Sequence, residues 1–175
     1  MDDIQQEFSE EDQLYLVRMQ PEEILKIIKN PTEQVQLLAV EHDQSNFKFI
    51  KNPSKSVIIK YVQGNGFNLR HLNYNQVDDD VYKEAMKSEF RSVSCVENPT
   101  YEIMKFSIEN CPYSLCYLKD IVTEDLELTA LELSWDIIIH DIVFKNKPLE
   151  KRSIHFQREY KKLKIKHGFE KNTID

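Results

Sequence analysis

The segment Ile28-Lys29-Asn30-Pro31-Thr32 returns as Ile50-Lys51-Asn52-Pro53-Ser54 and again as Val96-Glu97-Asn98-Pro99-Thr100. Anchored on these turns, units begin near Ser9, Pro31, Pro53, Val77, Pro99 and Val122, and subtraction of those positions gives steps of 22, 22, 24, 22 and 23 residues. A near-constant step of this length describes a chain made of copies of one short unit. No such copy can bury its apolar side alone, so each must stack on its neighbours.

The unit is helical. Val35, Val57, Val81, Ile103 and Leu126 share one register position, and Ala39, Tyr61, Ala85, Ser107 and Ala130 share another, four residues on, which is one helical turn. A second apolar pair at i, i+3 spacing follows: Phe47 and Ile50, Leu69 and Leu72, Val93 and Val96, Leu115 and Leu118, then Ile139 and Ile142 after a one-residue slip. Val17, Leu25 and Ile28 fit the template one unit earlier. Each unit therefore reads as a helix of two to three turns, a short connection and a shorter second helix. Strict apolar alternation is absent and Gly totals only 3, which disfavours strands. The expected fold is all-α: an α-solenoid of about six short helix-turn-helix repeats over residues 1–145. Residues 146–175 form a basic C-terminal helix and tail, packed as a cap.

Local signals support the boundaries. Asn30, Asn52 and Asn98 are expected to cap the helices that follow, with Pro at the first helical position, where its missing N–H costs nothing. Asn30 with Glu33, and Ser9 with Asp12, read as capping boxes, while Lys55 breaks the pattern in the third unit. Gly64-Asn65-Gly66 is placed in that unit's internal connection, where a positive φ is expected. Read instead as a nucleotide-binding loop it lacks a preceding strand and a third spaced glycine.

These Lys-Asn-Pro-Ser/Thr units resemble short helical repeats of uncharacterised phage and giant-virus proteins, and are related in shape to a bacterial and viral family of unknown function, the DUF4116 type. The resemblance covers about residues 9 to 145. It implies a repeat array and transfers no catalytic residue. The Asn-Gly usual in the middle of such units is present here only as Asn65-Gly66.

At 175 residues, with 30% charged residues and a mean hydropathy of -0.55, the chain suits a single soluble domain. The longest apolar stretch, Trp135 to Val143, is interrupted by Asp136, His140 and Asp141, and the acidic start Met1-Asp2-Asp3-Ile4 lacks a signal-peptide stretch. A cytoplasmic protein, not membrane-bound, is expected. Cys95, Cys111 and Cys116 have no metal spacing and read as free thiols in a reducing compartment. Charge is unevenly spread. Residues 145–175 hold 10 Lys/Arg against 4 acids, which leaves 13 against 26, a net of -13, for the preceding array.

Asp78, Asp79 and Asp80 open the fourth unit, where carboxylates favour helix initiation and could also contact a basic partner. The DxDxDG pattern of a calcium loop is absent. His42, His71, His140, His155 and His167 form no HExxH and no zinc spacing with Cys, and neither a nucleophile elbow nor a Walker loop is present. Trp135 reads as core within a flanking aliphatic run, and as an interaction hot spot if exposed. In the tail, Arg158, Lys161, Lys162, Lys164 and Lys166 are interleaved with Ile154, Tyr160, Leu163 and Phe169, which suits a capping helix or a phosphate-contacting one.

The sequence therefore points to a non-enzymatic protein-protein interaction module with no cofactor and no metal. Its acidic array favours a partner with a basic surface. The resemblance adds a phage or prophage factor that binds and modulates a host or defence protein. Two alternatives stand beside it: an acidic nucleic-acid mimic inhibiting a nucleic-acid-binding enzyme, and nucleic-acid binding by the basic C-terminal helix. A homodimer through the unpaired end of the stack is a further expectation.

Overall fold

In a computed structural model that describes residues 8–118, 121–145 and 147–169, every described element is a helix. The chain divides into two compact units at Glu89/Phe90. The N-terminal unit holds α1 (Glu10–Met19), α2 (Pro21–Ile27), α3 (Glu33–His42), α4 (Lys55–Gly64) and α5 (Asp79–Ser88), with 3₁₀ helices at Gln44–Phe49, Gly66–His71 and Tyr74–Gln76. The C-terminal unit holds α6 (Tyr101–Asn110), α7 (Leu115–Leu118), α8 (Glu124–Leu133), α9 (Ile137–Phe144) and α10 (Ile154–Lys166), with 3₁₀ helices at Phe90–Cys95, Pro112–Ser114 and Leu149–Lys151. First helices of successive repeats pack side by side: α1 on α3, α3 on α4 and α4 on α5 in one unit, and α6 on α8 in the other, where α10 packs on α8 as well.

The repeat register carries the core. Val35, Val57, Val81, Ile103 and Leu126 are each at most 1% exposed, and all five residues of the Ala39 register are buried. Burial of each such aliphatic side chain contributes roughly 1.5–3 kcal/mol. The connection inside a repeat is one residue of extended backbone, with φ and ψ of -156° and 123° at Asp43, -157° and 115° at Asn65, -148° and 105° at Glu89, and -156° and 111° at Cys111.

Three local expectations need correction. First, the second helices of three repeats are six-residue 3₁₀ helices. Three residues per turn explains the i, i+3 apolar pairs. In the sixth repeat the second helix, α9, is α-helical, and its buried pair becomes Ile139 and Val143, at i, i+4, with Ile142 only half-buried. Second, Asn-Pro is not the cap. The residue after Pro is, because Ser or Thr there places its hydroxyl under the free amide three residues on: Thr32 accepts from Val35 N at 3.4 Å, Ser54 from Val57 N at 3.4 Å and Thr100 from Ile103 N at 3.3 Å. Asn30 with Glu33 is therefore no capping box. Ser9 does cap, accepting from Asp12 N at 3.2 Å while its own hydroxyl donates to the Asp12 carboxylate.

Third, neither Gly64 nor Gly66 has a positive φ; among the described glycines only Gly168 does, at 79°. Close approach is what selects them. A Cβ on Gly66 would lie 2.3 Å from the Ala85 carbonyl oxygen, and one on Gly64 would overlap the end of the Gln44 side chain.

A polar register escaped the apolar pattern. Asn46 Nδ2 donates to the Ala39 carbonyl at 2.9 Å, Asn68 Nδ2 to that of Tyr61 at 2.8 Å, and Ser114 Oγ to that of Ser107 at 2.9 Å. Each bond ties the second helix back to the end of the first. Ser92 holds the same register, fully buried, with no partner for its hydroxyl among the described residues.

Candidate functional site

Asp78 caps α5, its Oδ1 accepting from Asp80 N and Val81 N at 3.1 Å each. Lys55 reaches both Asp78, at 2.8 Å, and Asp80, at 2.5 Å. Its hydrogen bonds to Asp78 and then Asp80 lift the ammonium to about 12, and Lys55 in turn lowers the Asp78 carboxyl. Two carboxylates of the acidic triplet are thus engaged within the unit. Asp79 is exposed. Arg158, Lys161 and Lys162 stand exposed at i, i+3, i+4 on α10, so they share one helix face; Lys162 bonds Glu159 at 2.7 Å. On the opposite side Phe156 and Leu163 are buried.

Trp135 is half-buried, not sealed in an aliphatic seam. Its ring stacks on His167 at 4.8 Å and Tyr160 at 5.5 Å and meets the edge of His140 at 4.4 Å, with Phe169 at 5.9 Å. Leu133, Ile137 and Ile138 flank it in sequence and are more than half exposed.

A cleft of about 480 Å³ in the same unit is lined by Cys116, Glu124, Glu127, Lys147 and Arg152. Apart from Lys145, the charges that line it pair with one another. Arg152 is buried, donating to Glu127, to the Val143 carbonyl and, at 2.9 Å, to the Lys147 carbonyl, while its guanidinium lies over the Phe156 ring. Burial raises the Glu127 carboxyl, and Arg152 pulls against that rise. Burial also acts to raise Glu124, yet bonds from Lys147, at 2.5 Å, and from Ser153 outweigh it and bring Glu124 down to about 2. The arrangement clamps the segment after α9 onto α8.

Two adjoining clefts in the N-terminal unit are of a different kind. One, of about 190 Å³, is lined by Lys29, Asn30, Phe49, Lys51 and Asn52; the other, of about 500 Å³, by Phe47, Lys48, Lys51, Tyr61, His71 and Asn73. Lys51 lines both, and neither lining includes a carboxylate. Phe47 stacks flat on Tyr61, with centroids 4.0 Å apart, and the Tyr61 hydroxyl is 2.9 Å from His71 Nδ1. Burial raises the Tyr61 phenol. Lys26 and Lys48 both approach the Phe49 ring, at 5.0 and 4.7 Å. Sequence reasoning passed over this surface, although a signal exists. Residues 44–77 contain Lys48, Lys51, Lys55, Lys60 and Arg70 and no Asp or Glu, within an array of strongly acidic balance.

All three cysteines are free, and burial raises the Cys116 thiol. Among the described residues no three His, Cys, Asp or Glu side chains are grouped to hold a metal ion, and no helix is long and apolar enough to cross a membrane. Comparison with protein-family models, with curated protein sequences and with solved structures found no match for the chain.

Proposed function

We propose that the chain is a non-enzymatic interaction module, a small α-solenoid of about six repeats that engages another protein through surfaces set by the repeat register. The observation carrying this reading is the pair of clefts in the N-terminal unit, whose linings are contributed by successive repeats and recur in step with the sequence period. Repeat arrays use such inter-repeat surfaces for binding. Outside these lysine-lined clefts, the acid excess of the array favours a facing partner surface that is basic and speeds encounter with it. On the resemblance of its repeats the module is a phage or prophage factor acting on a host or defence protein, and its free thiols suit a reducing, cytoplasmic setting.

The test is capture with immobilised full chain after nuclease treatment, followed by cross-linking of the retained partner. A stoichiometric protein cross-linked to the repeat surface is expected. Retention of nuclease-sensitive material alone would sink the reading and favour the second one, polyanion binding by α10, for which the shared face of Arg158, Lys161 and Lys162 speaks. That alternative requires affinity falling steeply with salt and lost in a triple Glu variant of the three. A second copy of the chain is the other protein partner to test, by sedimentation, with Leu133, Ile137 and Ile138 as its surface.

A further inference from the structure

Resting on the interaction-module reading, we propose that the paired clefts of the N-terminal unit are the docking site for an extended, acidic peptide segment of the partner, held by Lys29, Lys48 and Lys51 and by Asn30 and Asn52.

The first argument is charge. Within the N-terminal unit Lys26 pairs with Glu22 and Glu23, Lys55 with Asp78 and Asp80, Lys60 with Glu41 and Lys87 with Glu84. Lys29, Lys48 and Lys51 are exposed and ion-paired with no described carboxylate, and all three line the two clefts. Although Lys48 also feels the charges of Glu22 and Asp43, the three leave a lysine-lined surface with no carboxylate in its lining, to which a carboxylate-bearing segment is the complement.

The second argument is the Asn-Pro turn. Asn30 and Asn52 are exposed and free of capping duty, because Thr32 and Ser54 cap the helices. Neither amide is bonded to another described residue. A primary amide both donates and accepts, so Asn30 and Asn52, one repeat apart along a single cleft, offer two rungs to the main-chain N–H and C=O of an extended strand. Specificity for a polypeptide follows from this pairing and from the apolar floor of Leu25, Ile28 and Phe49 in one cleft and Ile50, Pro53 and Tyr61 in the other. Single-stranded nucleic acid is disfavoured because Phe49, the ring between the lysines, already has Lys26 and Lys48 against it, and stacking needs a free face.

The test uses the full chain and an array of extended peptides of about twelve residues, ~40 Å long, in which Glu, Lys or Ser alternates with Leu. The Glu series should bind in preference to the other two, with backbone amide shifts concentrated at residues 28–30 and 47–52. The triple variant K29E/K48E/K51E should lose affinity for it by about tenfold or more and gain affinity for the Lys series. The triple Arg variant should retain binding, and melting temperatures of both variants report that the fold is intact. Equal binding of the three series, amide shifts elsewhere, or an unaltered charge preference in the Glu variant would overturn the proposal. So would tighter binding of oligothymidylate at the same amides. If the proposal fails while a partner still cross-links elsewhere on the repeats, the module reading survives; if no partner is retained either, both fall.

Discussion

At the scale of single residues, the polar register decides more than its small share of the core would suggest. Asn68 donates to both the Tyr61 carbonyl and Gln44 Oε1, so Asn68→Ala abandons a buried carbonyl and opens a cavity. A loss of about 2–3 kcal/mol is expected from chemical denaturation. Ser114→Ala should cost about 1 kcal/mol, whereas Ser92→Ala removes a buried hydroxyl with no partner and should be neutral or stabilising. A different order among the three would mean that these bonds do not hold the second helices. The caps give a parallel comparison: Thr100→Ala should cost about 1 kcal/mol and Asn98→Ala close to nothing, because the hydroxyl and not the amide meets the Ile103 N–H. The titration of Glu124 and Asp136, each lowered to about 2 from 4.5 and 3.8, has a definite sign. Depressed carboxylates add stability that is fully present above the unfolded value and lost as pH falls toward the folded one. Glu124→Gln should therefore destabilise at pH 7, and its melting temperature should converge on that of the parent between about pH 4.5 and 2.

At the scale of elements, the register of the apolar residues was legible, and the kind of helix was not. Helical spacing of Val35 with Ala39, and of their counterparts, led directly to the buried stripe, since one helical turn separates them whatever lies at the ends. The i, i+3 spacing of Phe47 and Ile50 indicates a short second helix without its type, because both helix types place such residues on one side. The Asn-Pro cap failed for a related reason. Asn, Thr and Ser are all good caps, and the choice among adjacent candidates rests on where Pro leaves the backbone. Glycine roles were also misassigned, being steric here. Gly66→Ala should cost several kcal/mol because a backbone carbonyl blocks the new methyl, whereas Gly64→Ala should cost less, since the end of the Gln44 side chain can move aside at the expense of its bond from Asn68. Thermal melts of the two variants decide between close approach and backbone freedom.

At the scale of the molecule, net charge is a poor guide to any one surface. A formal charge of -7 points to Asp78-Asp79-Asp80 and to the basic tail, yet Lys55 occupies two of those carboxylates, and two of the three cleft lysines with no described ion pair, Lys48 and Lys51, lie in a stretch without acids. That stretch could have been read from sequence; the convergence of Lys29 with Lys51 on one cleft could not, because it depends on how successive turns line up. The same holds for the Arg152 clamp, which joins residues 25 positions apart in Glu127 and Arg152. The tie between a side-chain amide or hydroxyl and the carbonyl seven residues earlier also bears on ancestry. It is made by Asn or Ser at one position to the carbonyl of Ala39, Tyr61 or Ser107, while Ser92 at the same position makes no bond among the described residues. A lineage built on such a fastening is free to change nearly every letter around it while keeping its shape. Kinship among proteins of this design is therefore expected to outlast sequence similarity, and a search keyed to that single polar position and the small or aromatic residue seven before it should find relatives that overall identity misses.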